Sequence, residues 1–132
     1  MSNPVPTKSE LKLLQALWEQ GPSTVREIHE SVAGESGVSY TTTLKQLQIM
    51  HEKGLVERET KKRAHRYAAN LDREETRRGM LDDFMHRVYQ GSASELVIQA
   101  LGLSRPASPD ELEEIERLIE EMKMNSSRTG HE

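Results

Sequence analysis

The 132-residue sequence predicts a mainly α-helical chain with one small β-hairpin, three short helices and the hairpin coming first and a helical region after them. Three observations predict it. Apolar residues recur at helical spacing in six segments, each with its own start or stop signal. The pattern breaks once, after Gly54, into two short extended runs joined by a basic turn. Charge is also divided: residues 1–70 carry net +2 and residues 71–132 net −6.

The first segment, "TKSELKLLQALWEQG", opens with the capping box Thr7-x-x-Glu10, sets Leu11, Leu14, Leu17 and Trp18 on one face and ends at Gly21-Pro22. The second, "STVREIHESVAG", starts at Ser23 or Thr24, aligns Val25, Ile28 and Val32, and stops at Gly34. The third, "VSYTTTLKQLQIMHEKG", has Ser39 as its N-cap and Lys53-Gly54 as its end. The runs "LVERET" and "HRYAAN" then pair across "KKRA" as a hairpin with a basic tip. In this order the elements make a winged helix-turn-helix over residues 1–71.

Residues 72–125 read as a helical dimerisation region, and residues 126–132 as a polar, frayed tail. "REETRRGMLDDFMHRVYQG" places Met80, Leu81, Phe84 and Val88 on one stripe. "SASELVIQALG" opens with the box Ser92-x-x-Glu95 and is expected to bury Leu96, Val97, Ala100 and Leu101. "SPDELEEIERLIEEMK" opens with Ser108-Pro109-x-Glu111 and sets Leu112, Ile115, Leu118, Ile119 and Met122 opposite a dense acidic face. With only 34 % hydrophobic residues, the chain has few side chains for a core of its own. Self-association completes such a core, so Leu81, Phe84, Val88, Leu96, Val97, Leu101, Leu112, Ile115 and Ile119 are the expected homodimer interface.

Composition excludes several classes. There is no cysteine, hence no disulfide framework, thiolate metal site or thiol catalysis. No apolar run approaches a membrane span and no signal region opens the chain, so the expected location is the cytoplasm, without membrane insertion. The five histidines are scattered, and neither His29-Glu30 nor His51-Glu52 has the second histidine of an H-E-x-x-H site. No glycine-rich phosphate loop is present. No metal, cofactor or enzymatic activity is expected.

Three threonines are an odd opening for a helix, because β-branched residues are mediocre helix formers. They make sense if the third segment is the helix that enters a DNA groove. Its N-terminus is the positive end of the dipole, and small hydroxyl side chains allow close approach to phosphates and base edges. Thr43, Leu44, Leu47 and Met50 are expected to turn inward. Ser39, Tyr40, Thr41, Thr42, Lys45, Gln46 and Gln48 then face DNA, lysine suiting guanine and glutamine suiting adenine. Lys61, Lys62, Arg63 and Arg66 on the hairpin would hold the backbone, and residues 39–70 carry net +4. Each signal alone is weak, since caps and basic turns are common on solvated surfaces. A winged-helix adaptor that binds a protein instead of DNA is the competing reading.

The text "SELKLLQALWEQGPSTVREIHE", "VSYTTTLKQLQIMHEKGLVERE" and "HRYAA" resembles the penicillinase-repressor and methicillin-resistance-regulator family (BlaI/MecI/CopY type) of bacterial transcriptional repressors. The resemblance covers roughly residues 6–125 and is strongest before residue 70. It implies a homodimer that binds a palindromic promoter operator through the winged helix, with the reading pattern on Ser39, Tyr40, Thr41, Thr42 and Lys45 and the wing on Lys61 to Arg66. It also implies, for some members, inactivation by a membrane sensor protease. Here Gln99-Ala100 stands where the β-lactam-responsive members have an Asn-Phe cleavage pair, and the cysteine-rich end of the copper-responsive members is missing. Both departures argue against carrying those switches over.

Overall fold

A computed structural model describes residues 5–61, 63–103 and 107–129. The chain divides into two compact units, Met1–Phe84 and Met85–Glu132. The first contains α1 (Lys8–Gln20), β1 (Ser23–Thr24), α2 (Val25–Ser36), α3 (Tyr40–Lys53), β2 (Val56–Glu59), β3 (Arg66–Ala69) and most of α4 (Arg73–Tyr89). The second contains the end of α4, then α5 (Ala93–Leu101) and α6 (Pro109–Thr129).

Capping fixes where the first helices begin. Thr7 Oγ1 accepts from the Glu10 N–H and Glu10 Oε1 from the Thr7 N–H, so two otherwise orphaned donors are satisfied. Thr24 and Glu27 repeat the box at α2. Gly34 does not end α2, which continues to Ser36. α3 stops at Gly54, whose left-handed backbone (φ 83°) lets its N–H turn back to the carbonyls of Met50 and His51.

The core of this unit is one cluster in which Leu13, Leu14 and Leu17 of α1 meet Val25 and Ile28 of α2, Leu47 and Met50 of α3, and Leu55, Val56 and Tyr67 of the hairpin. Burying each such aliphatic side chain contributes roughly 1.5–3 kcal/mol, which is what holds α3 at a set angle on its neighbours. Trp18, Val32 and Leu44 pack at the margin of the cluster.

The hairpin pairs Val56 with Ala69 through Glu59 with Arg66, leaving residues 60–65 as its connection, a length that the sequence, lacking an Asn-Gly or Asp-Gly turn signal, left open. Lys62 lies outside the described residues. The sheet has a third strand that periodicity did not indicate. Ser23 and Thr24 extend along β3, opposite Tyr67 and Arg66, giving the antiparallel order β1-β3-β2. Two residues are too few to show an alternation, and a cap position is itself extended, so the strand was hidden in the helix start.

Trp18 Nε1 donates to the Leu71 carbonyl at 3.0 Å, and Asp72 caps α4 through the Glu75 N–H. Beyond Thr76 no described residue is buried. The expected burial of Leu96, Val97, Ala100 and Leu101 is therefore corrected: within one chain Leu96 is only half-buried and the other three are exposed. In the second unit, Ser92 caps α5, and Ser108 and Glu111 exchange bonds as a box on α6. α6 runs on through the polar residues Asn125 to Thr129, where a frayed end was expected.

Candidate nucleic-acid interface

The three threonines at the start of α3 have three different roles. Thr43 is buried, and its hydroxyl lies 2.9 Å from His29 Nδ1 on α2. Thr42 closes the cap: its N–H donates to Ser39 Oγ at 3.2 Å and the two hydroxyls lie 2.9 Å apart. Thr41 is exposed. Tyr40 sets its ring edge-to-face against His29 with centroids 5.7 Å apart, while staying 45 % exposed. A single α2 histidine thus steadies both the inward threonine and the outward tyrosine.

Inward burial of Thr43, Leu47 and Met50 sets the outer face of α3. Thr41, Lys45 and Gln48 stand there in the open, one turn apart, with Ile49 and Glu52 further along. Gln46 is half-buried and, with Thr42, faces the α1 side instead, where Lys8 and Lys12 lie.

On the opposite flank, α3 and the wing enclose an open groove. Tyr40 and Gln48 line it from α3, and Arg63 and His65 from the wing. Arg26 from the first turn of α2 and Arg58 from β2 also line it, so three guanidinium groups lie beside the edge of α3. Arg26 and Arg58 were not among the sequence-derived candidates. Arg58 could have been found from the strand register, since it pairs across the ladder with Tyr67. Arg26 needed the tertiary packing of α2 against the wing.

The remaining basic candidates are placed differently. Lys61 is exposed on the wing connection. Arg66 is exposed on β3 but sits opposite Glu59, and its charge also reaches Glu27. The Glu27 carboxyl is held below its ordinary value chiefly by the Thr24 N–H and hydroxyl, with Arg66 adding to the effect. Arg66 therefore spends part of its field on acidic neighbours, whereas no such pair engages Arg26, Arg58 or Arg63 among the described residues.

Among the described residues no group of three His, Asp or Glu side chains could hold a metal ion. The geometry instead suits a convex helix edge seated in a groove with cations beside it, which is how a winged helix meets a duplex.

Comparison with known proteins agrees with that fold. The penicillinase repressor family matches the chain over residues 6–121. The transcriptional regulator BlaI of Mycobacterium tuberculosis is 27 % identical over 115 residues, covering 86 % of this chain and 82 % of that protein. Among solved structures, the Bacillus licheniformis BlaI monomeric form in complex with the blaP half-operator is similar at a TM-score of 0.50 and 21 % identity, over 57 % of this chain and 93 % of that one. The transcriptional regulator Tm0710 from Thermotoga maritima is similar at a TM-score of 0.50 and 16 % identity, over 96 % of this chain and 80 % of that one. These two likenesses speak to the fold.

Proposed function

This chain belongs to the penicillinase repressor family, and from that premise we propose that it represses transcription as a homodimer seated on a palindromic promoter operator. The observation that carries the reading is the exposed edge of α3, Thr41, Lys45 and Gln48, flanked by the groove in which Arg26, Arg58 and Arg63 converge. In this reading α3 enters the major groove, the side chains of its edge read bases, and the arginines hold phosphates of the adjoining strand. The BlaI relative solved on a half-operator supports the same use of the fold.

Dimerisation is assigned to residues 72–125, through the apolar side chains that one chain leaves exposed on α4, α5 and α6. Two copies would present their α3 helices to successive major grooves about 34 Å apart, and an occupied promoter would exclude polymerase. The place of action is the cytoplasm, where the promoter is; no helix of the described residues is long and apolar enough to cross a membrane. This mechanism does not draw on cleavage by a membrane sensor protease, since α5 carries Gln99-Ala100 where the β-lactam-responsive members carry the Asn-Phe pair of that switch.

Fluorescence-anisotropy titration against the DNA upstream of the protein's own gene tests the reading, with scrambled DNA as control and about 150 mM salt throughout. Roughly thousandfold preference for the upstream DNA is the expected result. Equal, weak binding to that DNA and to fragments drawn from the whole genome would favour a protein-binding adaptor.

A further inference from the structure

A crevice lies on the other side of α3 from the arginine groove, between the start of α1 and the end of α2. Leu13, Val32 and Val38 form its apolar walls, and Thr42 and Gln46 line it from α3. Lys8 and Lys12, one turn apart on α1 and both exposed, also line it, with Ser9 and Thr43. Neither lysine has an ion-pair partner among the described residues. The acidic side chain between them, Glu10, is buried and already bonded to Lys53 and to the Thr7 N–H. The crevice encloses about 190 Å³. That is smaller than the roughly 300–1,000 Å³ of sites for drug-sized ligands, and sets the size of what it could take.

We propose that this crevice is an effector site for a small organic acid with an apolar body, the carboxylate held by Lys8 and Lys12 and the body against Leu13, Val32 and Val38. Charge complementarity selects the acid: two ammonium groups with no ion-pair partner among the described residues, beside an apolar wall, favour an anion and disfavour an amine of the same length. The occupant touches the DNA-reading helix directly. Thr42 is part of the Ser39 cap that shapes the first turn of α3, and Gln46 lies one turn further along. An acid seated against both shifts the start of the helix relative to α1, so acid and operator compete for two settings of α3. By linkage, the operator must lower acid affinity by the same factor as the acid lowers operator affinity.

The regulatory consequence rests on the DNA-binding reading, but occupancy of the crevice does not, and the experiment separates them. Full-length protein without DNA is titrated with hexanoate, with hexylamine as control, while backbone amide shifts are followed by NMR. Saturable shifts are expected at Lys8, Lys12, Val38, Thr42 and Gln46, with a dissociation constant of about 1 mM, within reach of eight heavy atoms. The Lys8→Gln/Lys12→Gln double variant should bind hexanoate at least tenfold more weakly, and Val38→Phe, which fills the crevice, should abolish the shifts. Hexanoate should then weaken operator binding severalfold in the wild type and not in Val38→Phe. Shifts elsewhere, equal binding of hexylamine, or unaltered affinity in the double variant would overturn the proposal. So would a double variant that loses DNA affinity while binding hexanoate normally, because the lysines would then be phosphate contacts. If hexanoate binds as expected but no operator is found, the DNA-binding reading fails and the site stands.

Discussion

Glu10 is a carboxylate only 2 % exposed, and three partners make that burial tolerable. Desolvation pushes its pKa up, but the Lys53 ammonium at 2.7 Å and the Thr7 N–H and hydroxyl outweigh it, so the carboxyl is held below 4.5. A depressed native pKa means the contribution is fully present above the unfolded value and is lost as pH falls through the native one. Glu10→Gln is therefore expected to lose about 1.5 kcal/mol at neutral pH, the scale of hydrogen bonds to a charged group. The difference from wild type should close as pH drops below 4.5, which urea unfolding at several pH values measures. A gap that persisted in acid would rule out the charge as its source. The half of this site made by Thr7 was legible as a capping box. Its other half was not, because Lys53 is 43 residues away and only the fold brings it near.

At the scale of elements, the proposed function divides the work of binding between α3 and the wing, and two substitutions would separate their shares. Arg63→Ala is predicted to weaken binding alike on all sequences and to lower the salt slope by about 0.9, as loss of one phosphate contact does. Lys45→Ala should instead change which sequences are preferred, with selection experiments as the readout; uniform loss on every DNA would contradict base reading. The end of α3 makes a further prediction. Gly54 has φ 83° with open space around it, so Gly54→Ala meets no clash and suffers only the left-handed backbone, about 1 kcal/mol by thermal unfolding. The helices and their caps were readable because each signal lies within one turn of chain. Strand β1 was not, since Ser23 and Thr24 become a strand only when β3 comes alongside.

For the whole molecule, the distribution of burial is the main result. The first unit has a filled core, while past Thr76 no described side chain is buried and apolar ones such as Leu81 and Ile98 are more than half exposed. Such a surface asks for cover, and in the proposed homodimer a second copy would supply it in matching form. Ile115→Asp is expected to give monomers by light scattering. It should also lower operator affinity far more than Arg63→Ala does, because the linked half-sites lose their shared attachment. Wild-type thermal stability should rise with protein concentration. A folded Ile115→Asp dimer would remove α6 from the interface.

The sequence by itself determined the helices, their caps, the hairpin and the inward face of α3, because spacing, punctuation and charge act over a few residues. The family was legible there too, in short runs such as "SELKLLQALWEQGPSTVREIHE" that resemble it. Tertiary structure alone decided what those elements do together. It buried Glu10 against Lys53, put Thr43 on His29, gathered Arg26 and Arg58 beside Arg63, turned Gln46 toward α1, and left the helices after Thr76 without a core. Each of these depends on residues far apart in the chain, where no local period reports the neighbour.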